Sequence, residues 1–175
     1  VVACHLCKED NDIYCVNYVS GSVIKMPDKL DVHEGSGPNK KRQESAHTHF
    51  VAVTPDKKYV LVTDLGMDKI FVYTRELELV RTVDTPRGHG VRHLIFSEDS
   101  RYLFAVNELE STVSAFSYDD GRLELIDTTS ALPEDFEGYS IAAAIRLHKG
   151  HIYVSNRGHD SLAKLSFDGK KLSLL

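Results

Sequence analysis

The sequence predicts an all-β protein, a β-propeller of four-stranded antiparallel blades, on three observations. Four segments align on one another: IYCVNYVSGSVIKM (13–26), VLVTDLGMDKIFVY (60–73), LFAVNELESTVSAF (103–116) and IYVSNRGHDSLAKL (152–165). Each holds a short apolar run, an Asn or Asp, three variable residues and a second apolar run. The anchors Asn17, Asp64, Asn107 and Asn156 recur at intervals of 47, 43 and 49 residues, the period of a four-stranded repeat. The apolar runs are short and separated by turn signals, and helical periodicity is nowhere sustained. A single blade cannot bury both of its faces, so such units stack around an axis.

The elements follow in order within each repeat. An apolar run precedes each aligned segment: ACHLC, HFVAVTPD, RHLIFSED and AAAIRLHKG, with Pro-Asp, Glu-Asp and Lys-Gly as turns. A fourth run follows, as in ELELVRTVDT, and YDDGRLELI and FDGKKLSLL carry Asp-Gly hairpin turns. Only GSGPNKKRQESAH (35–47) and SALPEDFEGYS (130–140) read as longer loops. The expectation is one partial propeller domain over 1–175, with about four blades near 2–46, 47–91, 92–140 and 141–175. The absence of Trp sets the chain apart from the WD-type propeller signature.

The bulk properties narrow the function. A length of 175 residues allows one domain with a sizeable core. Hydrophobic content of 42% and charged content of 27% are those of a soluble globular protein. A net charge of −5 argues against a nucleic-acid partner, because phosphate binding favours a basic surface. No apolar run approaches the roughly 20 residues of a membrane span, and no leader pattern is visible, so no membrane partner and a cytoplasmic location are expected. Three cysteines, Cys4, Cys7 and Cys15, point to a reducing compartment and to structural thiols. CHLC has no second Cys pair for zinc, and the histidines lack metal spacing, so neither a metal nor a cofactor is expected. The chain opens on Val1 rather than Met, as expected of a piece of a longer protein.

Blade geometry gives meaning to the ionisable residues. Strands run up and down, so the connection into each inner strand and the turn between the second and third strands share one face. His49 and Arg92 open inner strands, while Glu108 and Arg157 follow an anchor. Across the four repeats the position after the anchor is Tyr18, Leu65, Glu108 and Arg157. The start of the inner strand is approximately Val2, His49, Arg92 and Ile141. Scaffold positions repeat and these do not, which marks a pocket with chemistry. His47 precedes His49 in a loop, and with Asn107 and Asn156 it completes the set of substrate-binding candidates. The anchors read mainly as scaffold, satisfying turn backbone through Asx-type hydrogen bonds. Strand alternation turns His93 away from the side of Arg92 and into packing between blades.

These residues also carry a resemblance. The matching words are VNYVSGSV with GSGPNKKRQESAHTH, VTPDKKYVLVTDLGMDKIFVY, GHGVRHLIFSEDSRYLFAVNELESTVSAFSYDDGRL, LPEDF and YVSNRGHDSLAKLSFDG. Together they resemble the seven-bladed lactonase family that includes a bacterial 6-phosphogluconolactonase and the fungal 3-carboxy-cis,cis-muconate lactonizing enzyme. The resemblance implies a seven-bladed ring, of which this chain is a fragment of about half the family length. It also implies that the family's proposed active-site groups fall on His49, Arg92, Glu108 and Arg157. One departure stands out: the usual Gly-Pro-Arg-His reads Gly90-Val91-Arg92-His93 here, which loosens a rigid turn. End blades of an incomplete ring would expose apolar faces and promote self-association.

The chemistry expected is hydrolysis of an anionic sugar-acid lactone, foremost 6-phosphogluconolactone. The arginines would bind the anion and stabilise the oxyanion. Glu108 would activate water and His49 would protonate the leaving alkoxide, although those two roles are interchangeable in sequence terms. No nucleophilic Ser or Cys with a paired base is apparent, which favours direct attack by water. Two other readings stand beside it: lactone closure on a muconate-type dicarboxylate, and a non-catalytic propeller that serves as a binding platform.

Overall fold

The structure, a computed structural model, describes residues 2–175; Val1 lies outside the described residues. Its secondary structure is sixteen strands in four antiparallel four-stranded sheets, and no helix occurs among the described residues. Two compact units divide the chain between Val91 and Arg92.

The first unit holds two sheets. One is β1 (Ala3–Glu9), β2 (Asp12–Asn17), β3 (Ser22–Lys25) and β4 (Lys29–Val32); the other is β5 (Thr48–Val53), β6 (Tyr59–Asp64), β7 (Lys69–Thr74) and β8 (Leu79–Asp84). Strands β1 and β2 pack on β5. Alternation along the strands sends Tyr14, Val16 and Val23 from the first sheet, and Val51, Val60, Val62, Phe71 and Tyr73 from the second, into one shared core. The outer strand β4 leaves Leu30 and Val32 exposed.

A loop over residues 33–47 joins these sheets, as its composition predicts, and two polar side chains fix it. Buried Gln43 donates from Nε2 to the Leu65 carbonyl and to Asp68 Oδ1, both at 2.8 Å, and its Oε1 accepts from Asn39 N at 3.0 Å. Asp68 also accepts from the backbone of Gly88 and Gly90. The loop passes so close to the β6–β7 turn that a Cβ on Gly66 would lie 1.9 Å from the Ser45 carbonyl oxygen, which restricts that position to glycine.

The second unit repeats the plan. Its sheets are β9 (Val91–Phe96), β10 (Tyr102–Asn107), β11 (Thr112–Asp119) and β12 (Arg122–Ser130), then β13 (Ile141–His148), β14 (His151–Arg157), β15 (Ser161–Phe167) and β16 (Leu172–Leu174). Phe104, Val106, Val113 and Ala115 pack against Ile145, Ile152, Val154 and Leu165. The β11–β12 hairpin closes with Asp119 paired to Arg122, and Asp120 and Gly121 take φ of 44° and 76°. That is the two-residue turn with positive φ at both positions that Asp-Gly encodes.

A one-residue bulge near the start of the inner strand recurs. In β1 the register passes from Ala3 to His5, leaving Cys4 as the extra residue. In β5 it passes from Thr48 to Phe50, leaving His49. In β13 it passes from Ala142 to Ile145, setting Ala143 and Ala144 opposite Ser155. A bulge re-aims side chains and frees backbone groups from the ladder. It also corrects the sequence alignment: the counterparts of His49 are Cys4 and the Ala143–Ala144 pair, not Val2 and Ile141.

Candidate functional site

Three of the sequence candidates meet in the second unit. At the end of β10, Asn107 donates from Nδ2 to Thr112 Oγ1 at 3.0 Å and to Ser114 Oγ at 2.9 Å, which ties the ends of the turn together. Glu108 opens that turn, and its carbonyl accepts the Ala142 N–H at 3.0 Å, bonding the turn to β13. From β9, Arg92 places Nε 2.7 Å from Glu108 Oε2; from the end of β14, Arg157 places Nη2 3.1 Å from the same oxygen. The β13 bulge supplies acceptors for both cations: Arg92 Nη1 donates to the Ala143 carbonyl at 2.8 Å, and Arg157 Nη2 to the Ala142 carbonyl at 3.1 Å.

The two guanidinium groups differ in their access to solvent. Side-chain exposure is 4% for Glu108, 16% for Arg92 and 49% for Arg157. Arg92 is a partly buried clamp, while Arg157 offers more of its fork to solvent. Charge-assisted contacts of this kind are the stronger class of hydrogen bond, and the low-dielectric surroundings of Glu108 reinforce them. Arg92 also reaches His93: its Nη1 lies 3.1 Å from His93 Nε2. Alternation fixes only where Cβ points, and a long Arg side chain reaches around it.

His49 and His47 belong to the first unit. Buried His49 sits at the β5 bulge, and Cys4 Sγ lies 3.6 Å from its Nδ1. The Tyr18 ring meets His49 edge-on at 5.7 Å and stacks on His47 at 4.4 Å. His47 Nδ1 is 3.1 Å from the Tyr18 carbonyl oxygen, and Nε2 is 3.1 Å from Glu44 Oε1, so both ring nitrogens have protein partners. The proposed substrate contacts Asn107 and Asn156 likewise commit their Nδ2 groups to the scaffold, Asn156 to the Ala131 carbonyl and Ser161 Oγ. Their Oδ1 atoms are buried without a hydrogen-bond partner. No group of three or more His, Cys, Asp and Glu arranged to hold a metal occurs among the described residues.

The sequence took the cysteines as structural thiols and did not show the Cys4–His49 contact. Cys4 is exposed, whereas burial pushes the Cys15 thiol up from its ordinary pKa. Reactivity follows thiolate fraction and access. Iodoacetamide is therefore expected to label Cys4 faster than Cys15 in the folded protein, as read by peptide mass spectrometry. Equal labelling of the two in the folded protein would contradict this placement.

A propeller-blade repeat with a carboxylate clamped between two arginines defines the class, and the comparisons with known proteins name it. The lactonase family of seven-bladed β-propellers matches residues 4–175, and the chain belongs to that family. An uncharacterized protein of Staphylococcus epidermidis is 40% identical over 167 residues, covering 91% of this chain and 48% of its own. A Bacteroides fragilis structure, provisionally described as a 6-phosphogluconolactonase, superposes with a TM-score of 0.87 at 32% identity, covering 98% of this chain and 55% of that one. The periplasmic gluconolactonase of Pseudomonas aeruginosa gives 0.83 at 30% identity, covering 97% and 55%. The chain thus spans about half the length of the relatives it matches.

Proposed function

We propose that the protein hydrolyses a sugar-acid lactone, with 6-phosphogluconolactone as the substrate, and that Arg92, Glu108 and Arg157 carry the chemistry. The observation that supports this is the unequal exposure of two arginines on one buried carboxylate. Half-exposed Arg157 can receive an anion, either the substrate phosphate or the oxyanion that forms on the lactone carbonyl. Glu108 takes a proton from the attacking water as the carbon–oxygen bond forms. The ring carbon–oxygen bond then breaks, and the alkoxide recovers a proton from the Glu108 carboxyl. Arg92 holds Glu108 in place throughout. His49, isolated by the repeat comparison and matched by the resemblance, lies in the first unit, and substituting it tests its expected role as proton donor separately.

The likeness to a periplasmic gluconolactonase and to a provisional 6-phosphogluconolactonase supports the substrate class. The test is the rate of 6-phosphogluconolactone hydrolysis above its spontaneous rate, in the protein that carries this chain. Arg157→Gln is expected to raise KM for the phosphorylated lactone about 10- to 100-fold, from the loss of charged hydrogen bonds each worth about 1.5–3 kcal/mol. Gluconolactone without the phosphate should show a smaller rise. Hydrolysis no faster than the spontaneous rate would refute the proposal. An equal KM rise for both lactones would move Arg157 from the phosphate to the reacting carbonyl.

A further inference from the structure

We propose that Ser155 is a positioning residue that sets both arginines through the β13 bulge; the inference rests on the role proposed above for the cluster. Ser155 lies in β14, between Val154 and the anchor Asn156, and is the single residue opposite Ala143 and Ala144. A bulge leaves one backbone N–H without its ladder acceptor. Here that group is Ala144 N, and it donates to Ser155 Oγ at 3.0 Å. The hydroxyl thereby fixes the Ala143–Ala144 peptide plane, which carries the Ala143 carbonyl, and acts on the Ala142 carbonyl through the adjoining Ala142–Ala143 peptide. Those carbonyls, Ala142 O and Ala143 O, are the acceptors for Arg157 Nη2 and Arg92 Nη1.

The consequence is a chain of contacts with no direct route from Ser155 to the carboxylate: hydroxyl to bulge amide, bulge carbonyls to guanidinium groups, guanidinium groups to Glu108 Oε2. Each guanidinium is held from two sides, by backbone and by carboxylate, which restricts a side chain that otherwise carries several rotatable bonds. The other repeats have Val16, Thr63 and Val106 before the anchor. The first and third therefore offer no hydroxyl at this place. A hydroxyl before the anchor occurs in the second repeat, as Thr63, and in the fourth, as Ser155.

The test uses Ser155→Ala and Ser155→Thr, the second of which keeps a hydroxyl on a bulkier side chain. In Ser155→Ala, exchange of the Ala144 amide with solvent is expected to speed up about tenfold, and the Arg92 and Arg157 Nε–H signals in nitrogen-15 spectra should broaden or shift. Hydrolysis of 6-phosphogluconolactone should lose about tenfold in kcat, with a smaller change in KM, and Ser155→Thr should recover most of it. Unchanged arginine signals in Ser155→Ala would overturn the inference, as would a loss of activity that Thr does not restore. If the wild-type protein hydrolyses no lactone, the lactonase reading falls by itself. The exchange and guanidinium signals then still decide whether Ser155 positions the arginines.

Discussion

Glu108→Gln is expected to lower kcat for lactone hydrolysis by about 10²–10⁴-fold, the usual worth of a positioned general base. The amide keeps the shape of the side chain, so the loss isolates the carboxylate's charge and basicity. Glu108→Ala should do more. It leaves the Arg92 guanidinium, with 16% side-chain exposure, facing a void where Oε2 had been 2.7 Å away. Removing one partner of a buried pair costs about 3–5 kcal/mol, and half-exposed Arg157 places this site near about 3 kcal/mol. Urea denaturation of both variants separates the effects: Gln should reduce activity with a modest change in midpoint, and Ala should reduce both. A Glu108→Gln enzyme with full kcat would remove Glu108 as the base and leave it as a clamp for the arginines.

The repeat was legible because its cause is local. Short apolar runs, Asx anchors and Asp-Gly turns each encode their own geometry, and Asp120-Gly121 adopts the backbone its sequence specifies. Glu108, Arg92 and Arg157 were legible for the opposite reason. They break a pattern that the scaffold keeps, and the sheet topology brings them onto one oxygen. The bulges were invisible, because a one-residue slip leaves no residue-type signature: Cys4, His49 and Ala143–Ala144 have nothing in common as side chains. Missing the bulge in β1 shifted the alignment to Val2 and hid the Cys4–His49 contact. The backbone acceptors that hold the arginines were hidden for the same reason, since Ala142 and Ala143 contribute only carbonyls.

The largest effect on stability is expected at His33, a residue that the sequence left unassigned. It follows β4, and its ring is buried between two partners: Nδ1 lies 2.7 Å from Asp64 Oδ2 and Nε2 lies 2.8 Å from the Tyr73 hydroxyl. Tyr73 donates its proton to Asp31 Oδ2 at 2.7 Å, so its oxygen accepts from His33 Nε2–H. Burial, then the Asp31 and Asp64 carboxylates, hold the phenol far above its ordinary range and keep it a donor. The imidazole also stacks on Phe71 with ring centres 3.6 Å apart. Asp64 completes the network, because its Oδ1 accepts the backbone N–H of His47 and of Met67.

His33→Ala removes a ring from the first unit's core and strips Oδ2 of the fully buried Asp64 of its partner. The expected loss is about 3–5 kcal/mol in urea denaturation. Tyr73→Phe removes one hydroxyl but keeps the stack, and should lose about 1–2 kcal/mol. A double-mutant cycle of His33→Ala with Asp64→Asn should show coupling, because Asn at 64 no longer presents a charge for His33 to satisfy. A loss below about 1 kcal/mol for His33→Ala would mean that Asp64 is held by the His47 and Met67 amides alone. The anchor of this blade would then work as an Asx turn without its histidine, as Asn107 does in the second unit.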